Sequence, residues 1–446
     1  MSVHHAWVGA PTPTSMRLST RTSGTASLRW AVSTTQDLTA PLYSAPVVPD
    51  AEGLAKHVIT GLAPGTPYYY GLEADGTLLA DPLSRGRFTT APPDGAEAPI
   101  RFWFAGDRRT DSDHPVYEAI LARDPMFGLF LGDLGYNDPQ TEEVTRYLWR
   151  TSLAQPRFSR LVRECPTLYT YDQHDFCGNG SWSGSPNAAA AHRYARDYPA
   201  TYPLPATGLY CTWRIGRCRF VQLDTRTLRS DPSLPDGADK SVLGAAQRQW
   251  FKDLLAASTE PLIFVLLSFP HRPGAPDRWG SYATEFADLN AFIASIPGLA
   301  GRMVWLSADM HTLAADDGSH SPNGSVQLVG AALDQTGFQG TGGLYFNPES
   351  WSHGWVPNPE GTGQYGWAEI TDEGSSITLA FTGYDHTGTA LITLTKTFGD
   401  LLPGPLPGSA TKVRQNDKWS AAHPQVYTNG QWHPAPRRDR HAGQWH

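Results

Sequence analysis

Cysteine, methionine and lysine are scarce in this sequence, and long apolar runs are missing. Four cysteines in 446 residues are too few for a disulfide-built scaffold. The longest apolar run, Leu262 to Phe269, falls well short of the ~18–20 residues that a membrane span needs. Met1–Ala10 carries neither the basic nor the apolar segment of a secretory signal. The cations are nearly all arginine, which favours bidentate contact with oxyanions. A net charge of −8, from 35 basic and 43 acidic side chains, argues against a chain that coats nucleic acid. What is present is apolar bulk. Hydrophobic residues at 40% and aromatics at 11% suffice for a large core and exclude general disorder. At ~150 residues per domain the length suggests about three domains.

Residues 1–95 read as an all-β module. The runs Ser15–Ser19, Ala26–Val32, Ala55–Ile59, Tyr68–Glu73 and Gly86–Thr90 alternate with Gly, Pro, Asp and Ser turns, as a small sandwich requires. The stretch Ile59-Thr-Gly-Leu-Ala-Pro-Gly-Thr-Pro-Tyr-Tyr-Tyr70 resembles the E–F corner of fibronectin type III domains. His4-His5 reads as surface. Pro92-Pro93-Asp94-Gly95 marks the boundary.

Residues 96–400 follow a different grammar, apolar strands alternating with helical segments, as in a layered α/β domain. Helices are predicted over His114–Arg123, Glu142–Arg150, Pro156–Arg163, Ala188–Asp197, Ala245–Ala257 and Tyr282–Ile296. Five strands end on polar residues of one kind. Ile100–Gly106 runs into Asp107, Phe127–Gly132 into Asp133, and Thr167–Tyr171 into Asp172 and His174. Leu262–Pro270 runs into His271, and Met303–Ala308 into Asp309 and His311. Groups just past the carboxyl ends of strands gather at one rim, where α/β folds bind ligands. The alternating segments Ser325–Ala332, Gly366–Ile370, Ser376–Gly383 and Ala390–Thr395 are expected to complete a second sheet.

Residues 401–410 form a Pro/Gly linker. In 411–446, Val413, Asn416, Asp417 and Trp419 recur thirteen residues later as Val426, Asn429, Gly430 and Trp432. Gly430-Gln-Trp-His433 recurs as Gly443-Gln-Trp-His446. Each unit reads as a β-hairpin bearing one Trp. Such tandem units resemble the C-terminal repeats of actinobacterial phage tail proteins.

The rim residues are carboxylates and imidazoles without a cysteine pair, which excludes a zinc finger. This mixture suits a two-metal hydrolytic centre, in which cations about 3.5–4 Å apart neutralise a phosphoryl group. The glycine-rich turn Leu131-Gly-Asp-Leu-Gly-Tyr136 can place Asp133 as the bridge, with Tyr136 reaching the same cation.

The blocks Ala105-Gly-Asp107, Gly132-Asp-Leu-Gly-Tyr136, Tyr171-Asp-Gln-His-Asp175 and Ser307-Ala-Asp-Met-His311 resemble the ordered motifs of the calcineurin-like metallophosphoesterases, and within them the PhoD-like (alkaline phosphatase D) branch. Leu223-Asp-Thr-Arg226 with Arg229, and Leu243-Gly-x-x-Gln247-x-x-Trp250, agree with the same branch. The resemblance implies a four-layer α/β sandwich of two mixed sheets flanked by helices, preceded by a small β-sandwich. It implies two or more metal ions, iron favoured at the first site and calcium, zinc or manganese at the second. Asp107, Asp133, Tyr136 and His311 would serve the first. Asp309, His271 and Asp172 would serve the second. His174 would stand beside the scissile bond; apart from the resemblance, Arg109 follows a strand end and could grip phosphate oxygens.

The chain departs from the pattern in two places. Asp107-Arg108-Arg109 stands where the wider superfamily has Asp-x-His, so one imidazole ligand is absent. Gln173 replaces an acidic or Asn residue, and its carbonyl is a poorer ligand than a carboxylate. Arg108, Arg226, Arg229 and Arg272 are further candidate phosphate forks. Cys177 follows the His174 block, and Cys211 and Cys218 could close a hairpin disulfide outside the cell.

Two functions follow. The first is a hydrolase of phosphate mono- or diesters, extracellular or virion-associated, acting on a phosphate-rich wall polymer such as teichoic acid. The second is an inactive adhesin or tail protein that keeps the fold and binds a virion or cell-wall partner through its repeat.

Overall fold

Aromatic and aliphatic side chains alternate along the central strands, so each strand offers one apolar face inward and one outward. In the computed structural model Phe102, Phe104, Leu129, Phe220, Phe264, Leu306 and Phe381 fill a shared layer between two sheets. The structure describes residues 1–399 apart from 25, 275–276 and 338–346. Beyond them it describes only the strands of the C-terminal segment.

One sheet has six strands, in the order Thr167–Thr170, Phe127–Leu131, Ile100–Ala105, Gln364–Asp372, Ile377–Asp385 and Ala390–Phe398. The first three are parallel and the others join antiparallel. The other sheet has seven: Cys211–Ile215, Cys218–Gln222, Leu262–Leu266, Met303–Ser307, Val326–Gly330, Thr312–Asp316 and Trp355–Pro357. Helices Val116–Ala122, Glu142–Ala154, Pro156–Glu164 and Ala188–Asp197 bury their apolar sides on the outer face of the six-stranded sheet. Ala245–Ala257 and Ala283–Ser295 do the same on the seven-stranded sheet. The result is a four-layer α/β sandwich. Among the described residues no helix is long and apolar enough to cross a membrane.

The late strands do not form one sheet together. Val326–Gly330 inserts beside Met303–Ser307, whereas Gln364–Asp372 pairs with Ile100–Ala105 and carries the last two strands into the first sheet. The pairing partner lies far back in the sequence, so local alternation carries no trace of it.

The N-terminal region is a two-sheet β-sandwich. Val3–Gly9, Ser15–Thr22 and Leu54–Thr60 form one sheet, and Leu28–Ser33, Leu42–Tyr43, Pro67–Ala74, Thr77–Leu78 and Arg85–Thr89 the other. The strand Val3–Gly9 escaped the sequence reading, and it corrects the placing of His5 on the surface. His5 is buried and stacked on Tyr198, with ring centroids 5.4 Å apart. Burial lowers its pKa to about 3. Trp7, two residues on, enters the helix-side core beside Trp103, Trp149, Phe158 and Tyr169. Its indole donates to the Thr167 carbonyl at 2.8 Å. Tyr70 donates to the Arg163 carbonyl at 2.8 Å. Sandwich and α/β layers therefore form one compact unit, Met1–Leu401.

Cys211 pairs with Gln222 and Cys218 with Ile215, so the two cysteines lie about 13 Å apart along the hairpin at ~3.3 Å per residue. No disulfide joins them, and all four cysteines are free and buried. In the C-terminal unit, Lys412–Gln415 pairs with Lys418–Ala421, Gln425–Thr428 with Gln431–Pro434, and Arg440–His441 with Gln444–Trp445, all antiparallel. The 401–410 linker and the turn dipeptides 416–417, 429–430 and 442–443 lie outside the described residues.

Candidate metal centre

The parallel strands of both sheets end at the same rim, and the first turn after each delivers the polar residues. Asp107, Asp133, Asp309 and His311 all hold left-handed φ, of 57°, 56°, 67° and 52°. Such angles cost a non-glycine residue about 1–3 kcal/mol and persist only where surrounding contacts enforce them. The turns are also tight. A Cβ on Gly106 would lie 2.7 Å from the Gly132 carbonyl oxygen and 2.8 Å from the Ala308 Cβ. One on Gly132, with φ of 106°, would lie 2.6 Å from the Asp172 Cβ. Only glycine permits the strand ends to approach this closely.

Three donor atoms converge on one side. Tyr136 Oη lies 2.6 Å from His311 Nε2 and 3.1 Å from Asp107 Oδ1, and His311 Nε2 lies 3.4 Å from the same oxygen. The phenol has one proton for two acceptors. The spacing matches the ~3 Å between neighbouring ligands of an octahedral cation with ~2.1 Å bonds. Burial and the Asp107 carboxylate push the Tyr136 phenol well above its usual pKa, so only a strongly Lewis-acidic cation would take it as phenolate. His311 Nδ1 faces the Thr336 carbonyl at 2.8 Å, which fixes the neutral ring with Nε2 turned toward the centre. Burial lowers the proton affinity of His311, but Asp107 more than offsets it, leaving the pKa above the ordinary value.

On the other side Asp133, Asp172 and Asp309 offer carboxylate oxygens within 4.8 Å of one another. Asp133 Oδ2 and Asp172 Oδ2 are buried without a hydrogen-bond partner. Burial first, then Asp172 and Asp107, raises the Asp133 pKa well above the carboxylate range. A cation is the natural partner for such oxygens, so the residues present fit a bound metal.

Asp175 holds this half in shape. It accepts from the backbone N–H of Asp133 at 2.6 Å, of Leu134 at 2.5 Å and of Asp172 at 3.0 Å. Asp133 Oδ1 in turn accepts the His174 N–H at 3.0 Å. Gln173 is buried among these groups, its amide 3.3 Å from Asp309 Oδ1. Two arginines close the half. Arg226, fully buried, donates Nε to Asp172 Oδ1 at 2.8 Å. Arg278 grips both oxygens of Asp309, with Nε at 2.8 Å from Oδ2.

The His174 ring lies against Tyr136, with centroids 4.2 Å apart and planes tilted by 38°, and its Nδ1 lies 2.5 Å from Asp138 Oδ1. Thus Asp107, Asp133, Tyr136, Asp172, His174, Asp309 and His311 share one site.

His271 does not join them. Its ring is stacked on Trp305 at 3.9 Å and 5°, and flanked by Trp279 and Phe286. Nε2 faces Asn290 at 3.2 Å, and burial lowers the pKa to about 3. The chain past Leu262–Leu266 turns the ring into the outer helical layer instead of over the rim. Arg109 is exposed, and the structure gives its backbone N–H to Asp334 at 2.7 Å. Arg108 is buried against the carbonyls of Thr110, Ser112, Leu134 and Ser152, so it braces the turn rather than facing phosphate. Arg229 bonds Tyr282 at 2.9 Å, and Arg272 lies 4.1 Å over Trp351. Cys177 is buried. The sequence reading missed Asp138 and Arg278. Asp138 had a signal in its place just past the Gly132-Asp133 turn, whereas Arg278 follows no periodic segment.

The sequence matches the PhoD-like phosphatase family over residues 102–374, more than half of the chain. The chain belongs to that family. Among solved structures, PhoD superposes with a TM-score of 0.70 at 16% identity, covering 89% of this chain and 90% of its own. The purple acid phosphatase PPD1 of yellow lupin (Lupinus luteus) seeds superposes with a TM-score of 0.60 at 13% identity, covering 88% and 74%. At these identities the likeness speaks for the fold. No curated protein matches the sequence. The PhoD-like match spans every strand end that feeds the centre, from Asp107 to His311.

Proposed function

We propose that this PhoD-like chain hydrolyses phosphate mono- or diesters at the Asp107–His311 rim. The observation that carries the reading is the convergence of Asp107 Oδ1, Tyr136 Oη and His311 Nε2 within 3.4 Å beside the unpartnered oxygens of Asp133 and Asp172. A bound cation would supply charge neutralisation and Lewis acidity toward a phosphoryl group. Asp107, Tyr136 and His311 would hold it, with Asp133 beside them. Iron fits the phenol-bearing side, since a strongly acidic cation is needed there. Asp138 orients the His174 ring through Nδ1, leaving Nε2 to hold a proton for the departing oxygen. Arg109, exposed near the turn, is suited to the outer oxygens of the substrate.

Elemental analysis of the purified protein, run beside hydrolysis of nitrophenyl mono- and diesters, tests this reading. Bound metal with turnover on either ester supports it. Stoichiometric metal without turnover on any phosphate ester favours the inactive tail-protein alternative, which Gln173 and the arginine-held carboxylates support.

The flanking regions complete the proposal. Tyr68 Oη accepts the Ala63 N–H at 2.9 Å, a hydrogen bond of the tyrosine-corner kind that supports a fibronectin III-like reading of the sandwich. The thirteen-residue Trp repeat supports a wall-binding or virion-binding tail that brings the enzyme to a polymer such as teichoic acid.

A further inference from the structure

We infer that Arg278 is an internal counter-ion standing in for a second cation, so that the centre takes one metal ion and not two. The inference rests on the metal-dependent reading above and concerns how its charge is balanced.

Four carboxylates face the centre: Asp107, Asp133, Asp172 and Asp309. Arg226 binds Asp172, and Arg278 binds Asp309 through both oxygens. Arg226 and Arg278 thereby bring two positive charges to this half of the centre, Arg278 sharing its own with Asp277, and the charge left over suits one cation better than two. Asp175 stands apart from this count, because its oxygens accept three backbone N–H groups.

Donor supply points the same way. Asp309 Oδ1 takes Gln173 as well as Arg278, and Oδ2 takes Arg278. Asp172 Oδ1 is occupied by Arg226, and Asp133 Oδ1 by the His174 N–H. The carboxylate oxygens left on this half are Asp133 Oδ2 and Asp172 Oδ2. Six-coordinate cations want about three times as many donors, and Asp133 is shared with the Tyr136 side.

Arg278 is also built into place. Asp277 pairs with its guanidinium, while the Asp277 carbonyl accepts Arg229. Both residues lie past Leu262–Leu266, the strand whose His271 turns away from the rim. That strand end thus supplies a cation to the centre where the sequence led one to expect a ligand.

Titration of the metal-stripped full chain with Mn2+ tests the inference, followed by calorimetry and electron paramagnetic resonance. One Mn2+ per wild-type chain is expected, with the spectrum of an isolated ion. Arg278→Ala should bind two, the second at least ~tenfold tighter than in wild type once a unit charge is removed beside its ligand. Its spectrum should show coupling between ions about 3.5–4 Å apart. Arg278→Gln, which keeps a hydrogen-bonding side chain without the charge, gives the same readout if the alanine variant misfolds. Two coupled ions in wild type would overturn the inference while leaving the metal-dependent reading intact. One ion in wild type and in both variants would overturn it too. No Mn2+ bound by any form would remove the metal-dependent reading itself.

Discussion

On one side of Asp133, Asp107, Tyr136 and His311 bring donor atoms together with a ring nitrogen fixed by a backbone carbonyl. On the other, Asp172 and Asp309 are each held by an arginine, and a neutral Gln173 lies between them. The first half is preorganised for a cation and has little else to balance it. The second already carries its positive charge in the chain. Strand ends of one fold can thus present the same residue type, aspartate, to two different ends, and the neighbours decide which. Acidic residues at a rim therefore say little about metal number until their partners are known.

The strongest way to break the contrast is to remove what both halves share. Asp133→Asn should abolish metal binding and lower turnover by more than ~10³-fold, because a neutral amide oxygen cannot replace the buried anionic oxygen that Asp133 offers a cation. Full metal occupancy in this variant, measured by elemental analysis, would show that Asp133 is not a ligand. Next, His311→Ala attacks only the first half and should strip the tightly bound ion. A variant that keeps its metal and loses only kcat would leave His311 outside the coordination sphere.

Acidity sharpens the second half. Burial raises the Asp309 pKa from 3.8 to about 6, against the pull of Arg278 and with the push of Asp172. The folded metal-free chain therefore holds this proton more tightly than the unfolded chain does. As pH rises from about 4 to 6 that advantage is lost, and stability falls. A cation held by Asp107 and its neighbours should recover the loss by offsetting their repulsion of the Asp309 carboxylate. Added Mn2+ should thus raise the melting temperature more at pH 7 than at pH 5, and an equal rise at both would contradict it.

Gln173→Asp is a smaller change. It should tighten metal binding on the arginine side several-fold and raise activity at low metal concentration, since a carboxylate outbids an amide for a hard cation. An unchanged metal-activation curve would place residue 173 outside the sphere. Least of all should happen on removing Lys412–His446. These residues belong to a separate unit, so metal content and turnover on a small nitrophenyl ester should stay the same while attachment to wall polymer weakens. Loss of turnover on the small ester would tie the tail to the centre.

Much of the centre was legible because one rule placed it. Asp107, Asp133 and Asp309 come two residues after apolar strands and His311 four after, and a parallel strand can only end at the rim. His271 obeyed the same rule on paper, but the chain after its strand turns the ring onto Trp305, Trp279 and Phe286 in the helical layer. Arg278 and Asp138 act through loop geometry that no periodicity encodes. The six longer helices were legible from their spacing and differ from expectation by a few end residues, whereas the short helix Gln173–Phe176 was not. The sheet that takes in Gln364–Asp372 was not, because its partner Ile100–Ala105 is remote in sequence. The strand Val3–Gly9 hid behind a paired histidine that looks solvated and is half buried in the seam.

That seam bears on how such chains can be reshuffled. Trp7 lies in the sandwich's first strand, Val3–Gly9, yet it is a tooth in the gear of the α/β layers, meshed with Trp149 and Tyr169. The boundary that composition draws at Gly95 is thus a border in the text and not in the solid. A recombinant that traded the first segment for a foreign sandwich would need a matching indole at the same address, or it would leave a hole in its neighbour.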